Sequence, residues 1–209
     1  ILDGFFNKRI VSICHNPRMM QQLFVACGNQ VLEFDLRNLA TVVSSYEPED
    51  DSPSTTINCM CIDPEGYFVG TCNSNGNIDI FNVYTHEPTR MMNFDRTVNN
   101  IAFYRQGKNV SLMASGDLTT LYNYSMTGEK LHETVLPVLP DTEEGLVEAP
   151  VIRDICINYD ENMTYVGCDD GSIRCVCPSG KDIALENYII CKPHSDSVKK
   201  VELDGDDEI

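Results

Sequence analysis

Cys59-Met60-Cys61 and Cys175-Val176-Cys177 are the pairs whose residue type and spacing could do chemistry. On a strand, a spacing of two puts both sulfurs of a pair on one face, so a four-thiolate zinc site is conceivable. The two pairs lie far apart in the chain, and structural zinc sites more often use cysteines two to four residues apart in turns. Core packing is therefore the expected role, and no metal is expected. A hydrolase triad would need a nucleophile turn, yet no Gly-x-Ser-x-Gly occurs, and His15, His86, His132 and His194 are scattered. No phosphate loop or dinucleotide fingerprint is present. Asp204-Gly-Asp-Asp-Glu208 has the composition of a calcium loop with the wrong ligand spacing. No catalytic residue and no cofactor are expected.

All ten cysteines bear on the compartment. Nearly all lie inside apolar, strand-like runs, where cysteine packs as a small hydrophobe. They are expected to be reduced, which points to an intracellular protein of the cytoplasm or nucleus. The sequons at Asn109, Asn123 and Asn162 are discounted on that ground. The net charge of -17, from 32 acidic against 15 basic residues, opposes binding to nucleic acid or anionic membrane. Basic protein segments are the better electrostatic match. No run approaches the roughly 20 apolar residues that span a bilayer.

The elements that must position these residues repeat. Ile10-Val-Ser-Ile-Cys-His-Asn-Pro17 resembles Ile57-Asn-Cys-Met-Cys-Ile-Asp-Pro64. Val98–Arg105 and Ile152–Tyr159 share the same apolar positions, and a fifth start falls at Val198–Gly205. These starts, at 10, 57, 98, 152 and 198, are spaced close to the roughly 40–45 residues of a propeller blade. Each unit continues with a turn, a second apolar run such as Leu23–Cys27, and a Gly/Asn/Asp hairpin signal. A third run alternates with period two, as in Val31–Leu36 and Ile78–Val83, and a weaker fourth run of mixed polarity suits an edge. The reading is nearly all-β.

Two acidic stretches interrupt the rhythm, at 46–56 and 137–150. Both are expected to be loops between units, and Ser52-Pro53 in the first is a candidate phosphorylation site.

In period, turn placement and apolar pattern the units resemble WD repeats over roughly residues 9–205. That resemblance implies an all-β propeller of four-stranded antiparallel blades. The blades would run 9–46, 56–95, 97–136 and 151–192, with a fifth beginning at 197–209. About four and a half blades would belong to a ring of about seven. The family's Trp-Asp pair is absent, because the chain has no Trp. Phe34-Asp35, Phe81-Asn82 and Tyr122-Asn123 are the nearest substitutes, and unit 4 has none. The Gly-His dipeptide is also missing, with His194 its nearest relic.

In such proteins one loop face commonly receives peptides. By resemblance the candidate partner-binding rim comprises Asn29, Asn73, Asn75, Arg96, Asp117, Asp169, Asp170 and His194. With the acidic loops, the aspartates suggest a negative rim for basic partner segments. The function implied is a non-catalytic scaffold or adaptor in a multiprotein complex. An enzyme with its site in the central funnel is the alternative, and converging ionisable residues would distinguish it.

Overall fold

A computed structural model describes residues 8–47, 55–94, 96–116, 119–137, 149–159, 163–177, 189–191 and 196–203. These residues form sixteen strands and no helix. The chain divides into two compact units, Ile1–Phe103 and Tyr104–Ile209.

The first sheet runs β1 (Ile10–His15), β2 (Gln22–Cys27), β3 (Gln30–Asp35) and β4 (Asn38–Tyr46) in chain order. The second runs β5 (Ile57–Ile62), β6 (Phe68–Asn73), β7 (Asn77–Asn82) and β8 (Pro88–Asn93) in the same way. The third is β9 (Val98–Gln106), β10 (Asn109–Gly116), β11 (Thr120–Ser125) and β12 (Lys130–Val135). The fourth is β13 (Ile152–Asn158), β14 (Met163–Cys168), β15 (Ile173–Val176) and β16 (Ile189–Cys191). Neighbouring strands pair antiparallel within each sheet. Each sheet is thus a four-stranded meander.

Middle strands are buried on both faces, which is why Leu-Phe-Val-Ala-Cys of β2 is a continuous apolar run. The fourth strands β4 and β12 are mostly exposed, as their mixed polarity requires of an edge. In the first unit Phe24, Ala26, Val31, Tyr46, Ile57, Met60, Val69 and Phe81 share one core. Tyr46 meets Phe81 edge-on at 5.4 Å and Phe24 at 6.1 Å. The first strand of the second sheet therefore buries its Ile57 and Met60 against the first sheet. On β1 the equivalent residues, Ile10 and Ile13, are 41% and 57% exposed.

The fifth repeat start meets a different fate. Residues 196–203 form no strand. Yet Val198 and Val201 are buried, and the Val198 N–H donates to the Cys168 carbonyl at 3.0 Å, as Ile57 N–H does to Gly28 at 2.8 Å. A Cβ on Gly167 would lie 2.6 Å from Val198 and 2.8 Å from Val201, so the segment seats directly on bare backbone. The Val201 N–H also donates to Asp154 Oδ2 at 2.7 Å, while burial raises the Asp154 pKa. The segment occupies the first-strand position without forming a ladder among the described residues.

One alignment shifts. Phe34 pairs with Leu23, Phe81 with Val69, Tyr124 with Leu112 and Val176 with Thr164. The third-strand aromatic of the third sheet is therefore Tyr124, not Tyr122. The next residue shows why polarity matters there. Asp35 Oδ1 accepts from Arg37 N–H, Asn82 Oδ1 from Tyr84 and Thr85 N–H, and Ser125 Oγ from Thr127 and Glu129 N–H. The Asp position is a turn cap that Asn or Ser can fill. Asn82→Ala is expected to destabilise by about 1 kcal/mol, read from a urea midpoint at unchanged m-value.

Candidate partner-binding rim

The rim residues divide between the two units, and each group has a structural task. In the first unit the β2–β3 turn places Asn29, half-buried, with its Oδ1 accepting from Lys8 Nζ at 2.7 Å. The β6–β7 turn is organised by Asn73, whose Oδ1 accepts from the N–H groups of Asn75 and Asn77, both at 3.0 Å. Asn75 Nδ2 reaches Thr55 Oγ1 at 2.9 Å, and Asn93 Nδ2 reaches Asn77 Oδ1 at 2.7 Å. Asn73 is only 2% exposed, and its Nδ2 lacks a hydrogen-bond partner. Arg96 is exposed beside this turn, whose Gly76 carbonyl accepts from Phe94 N–H at 2.8 Å.

In the second unit the aspartates are engaged within the fold. Asp169 Oδ1 accepts from Val151 N–H at 2.8 Å, and its Oδ2 lies 3.5 Å from Arg153. Asp170 Oδ1 accepts from the N–H and hydroxyl of Ser172, at 3.0 and 2.5 Å. Its Oδ2 accepts from Arg174 Nη2 at 2.7 Å, while Arg174 Nε reaches Ser172 Oγ at 2.9 Å and Nη1 reaches the Pro137 carbonyl. Arg174 is fully buried. Burial acts to raise the Asp170 pKa, but the Ser172 and Arg174 hydrogen bonds outweigh it and lower the value. Both carboxylates have an arginine partner, so neither is a bare negative charge. Asp117, His194 and Ser52 lie outside the described residues.

Sequence reasoning missed a polar chain at the other end of the first two sheets. Asn16 Nδ2 donates to Gln22 Oε1 at 2.6 Å and to the Gly66 carbonyl at 3.1 Å. Gln22 Nε2 donates to Glu33 Oε1 at 2.6 Å, and the Tyr46 hydroxyl donates to Glu33 Oε2 at 2.9 Å. His86, held at a positive φ of 61° in the β7–β8 turn, brings Nδ1 to 3.8 Å from the same oxygen. Its ring lies 5.5 Å from that of Tyr46. Burial and the neighbouring Glu33 charge push the Tyr46 phenol well above its ordinary range, so it stays a donor. Glu33 is 5% exposed, a buried carboxylate held mainly by neutral donors.

This chain borders a shallow cavity of about 110 Å³ lined by Met19, Gln21, Gln22, Glu33, Phe34, Asp35, Arg37 and Val43. At its mouth Arg37 forks onto Asp35, with contacts of 3.0, 3.1 and 2.6 Å. That guanidinium holds the Asp35 carboxyl down at about 2. Met19, Met20, Leu36 and Val43 expose apolar surface around it. Chemically the cavity suits a side chain with an aliphatic stem and a cationic tip. The signal available in sequence was one carboxylate, Glu33, between apolar neighbours on a strand.

Burial pushes the Cys61 and Cys72 thiols well up, raises Cys156, and takes Cys168 up to about 11. Among the described residues no group of three or more His, Cys, Asp or Glu is placed to hold a metal ion.

Four-stranded antiparallel meanders repeated in this way, with first-strand side chains seated on the preceding sheet, are blades of a β-propeller. No family model matches the sequence, and no curated protein does. Among solved structures the chain is similar to the β-propeller domain of Cps50 (Swd1) from Myceliophteria thermophila, with a TM-score of 0.71 at 12% identity. The match covers 96% of this chain and 62% of that one, so the chain spans less than two thirds of its neighbour's length. At that identity the likeness establishes the fold.

Proposed function

We propose that this chain is a non-catalytic interaction platform, an intracellular subunit of a multiprotein complex that receives basic segments of partner proteins. The carrying observation is the cavity on the first blade, where a buried carboxylate, Glu33, opens beside exposed methionine and valine. A net charge of -17 favours the approach of basic chains. The rim turns carrying Asn29, Asn75 and Arg96 offer a second contact surface, and the β6–β7 turn is held by Asn73, whose side chain accepts from two backbone N–H groups. In the second unit Asp169 and Asp170 are engaged by Arg153 and Arg174 rather than displayed as bare charge.

Affinity purification with mass spectrometry, at low and high salt, tests this reading on the parent protein. Basic partners should be recovered at low salt and lost at high salt. The double substitution Glu33→Gln, Asp35→Asn should weaken their recovery by roughly tenfold, the scale of one charge-assisted contact. Full retention by the double variant would remove the cavity from the interface. Absence of partners at both salts would overturn the platform and direct substrate screening to the funnel.

A further inference from the structure

Cys59 and Cys72 stand opposite each other on β5 and β6, where the regular ladder resumes after a bulge between Ile57 and Cys59. Directly opposed residues of an antiparallel pair point to the same face, with Cα atoms about 4.5 or 5.5 Å apart. Both spacings lie inside the roughly 4.4–6.8 Å range that a disulfide requires. No disulfide joins the two, and Cys59 is among the groups that act on the Cys72 thiol. After Met60 with Thr71, the next pair on that face is Cys61 with Gly70, so Cys61 has no thiol across from it. Access is unequal. Cys59 is half-buried, whereas Cys72 is fully enclosed.

We propose that Cys59 and Cys72 are a thiol pair that closes to a cross-strand disulfide under two-electron oxidants such as hydrogen peroxide. The Cys59 thiolate attacks one peroxide oxygen, the O–O bond breaks, and Cys59 sulfenic acid and hydroxide result. The Cys72 sulfur, after giving up its proton, then attacks the Cys59 sulfur. The S–S bond forms, the S–O bond breaks, and the hydroxide that leaves takes up a proton as water. Overall two thiols and one hydrogen peroxide yield one disulfide and two waters. Burial pushes the Cys72 thiol up, so the half-buried Cys59 is the sulfur that meets the oxidant first.

The bond would bear on the rim. Asn58, next to Cys59, donates from Nδ2 to the Val98 carbonyl at 2.9 Å. Asn73, next to Cys72, holds the β6–β7 turn. Fastening the two cysteines would tie both supports of the second blade's rim into one unit, making that rim responsive to oxidation. The proposal does not depend on the identity of the partner.

The test treats the full chain with hydrogen peroxide, blocks remaining thiols by alkylation, and maps unreduced peptides by mass spectrometry. The expected product is one cross-linked peptide joining Cys59 to Cys72, two hydrogens lighter than its parts and reversed by dithiothreitol. Cys61→Ser should keep the link. Cys59→Ser, at the half-buried position, should abolish it and leave Cys72 alkylatable after unfolding. Recovery of both residues as free thiols, or linkage of Cys59 to Cys14 or Cys61 in its place, would overturn the assignment.

Discussion

Arg174→Ala is expected to destabilise the protein by about 3 kcal/mol, the lower end of the cost of breaking a buried ion pair. The guanidinium is fully buried and serves three acceptors at once: Asp170, Ser172 and the Pro137 carbonyl. Alanine leaves a void and strips all three. The estimate stays at the lower end because the Asp170 side chain is 26% exposed and can turn to water. In a chain of this length each kcal/mol moves the melting temperature by roughly 2–4 °C, so calorimetry should find a drop near 10 °C. Arg174→Met with Asp170→Asn should recover part of it, since both charges leave together. A loss below about 1 kcal/mol for Arg174→Ala would show that the pair is not a support of the fold.

The same pair sets a pH dependence. The folded-state pKa of Asp170 is lowered, so its contribution is present above the unfolded carboxylate value. It is lost as pH falls through the folded value. The stability read from urea unfolding of the wild type should therefore fall on acidification across and below the ordinary carboxylate range. Asp170→Asn should flatten that slope.

Strand runs and turns were legible because period-two alternation and Gly/Asn/Asp punctuation follow directly from strand geometry. Glu33 and Arg174 were not. Alternation assigns such residues to a solvent face, but the middle strands of stacked sheets have no solvent face, and both side chains are buried. Each then needs a partner that tertiary packing supplies, Tyr46 for Glu33 and the Pro137 carbonyl for Arg174. The aromatic of the third sheet was misplaced for a related reason. Leu-Tyr-Asn-Tyr-Ser offers two frames, and the ladder partner of Leu112 decides for Tyr124. The opposition of Cys59 and Cys72 likewise depends on register across the turn at 63–67, which a turn signal does not specify to the residue. Among the rim residues, Asn73 and Asp170 do organise turns, as their residue types require, and that task is not distinguished in sequence from recognition.

Gly76→Val should produce the other large effect, and Gly107→Val is its control. Both glycines have positive φ, 84° and 62°, where a branched L residue is strained by about 1–2 kcal/mol. They differ in surroundings. Nothing lies within 4 Å of a Cβ built on Gly107, whereas one on Gly76 collides with the backbone carbonyls of Phe94 and Arg96. Carbonyls in a linking segment cannot rotate away as a side-chain tip can. Valine at 76 must therefore displace Phe94 and Arg96, lengthening the Phe94-to-Gly76 hydrogen bond of 2.8 Å and the Thr97-to-Ser74 contact of 3.3 Å. Strain and collision together should cost about 3–5 kcal/mol, against about 1–2 for Gly107→Val. Chemical denaturation of both variants gives the difference, which isolates the collision. Because Arg96 rides on the displaced segment and Asn73 and Asn75 build the turn beneath it, Gly76→Val should also reduce partner recovery at temperatures where it remains folded. Gly107→Val should leave recovery unchanged. Equal destabilisation by the two substitutions would mean that Phe94 and Arg96 yield freely, and the second blade's rim would then not be a rigid surface.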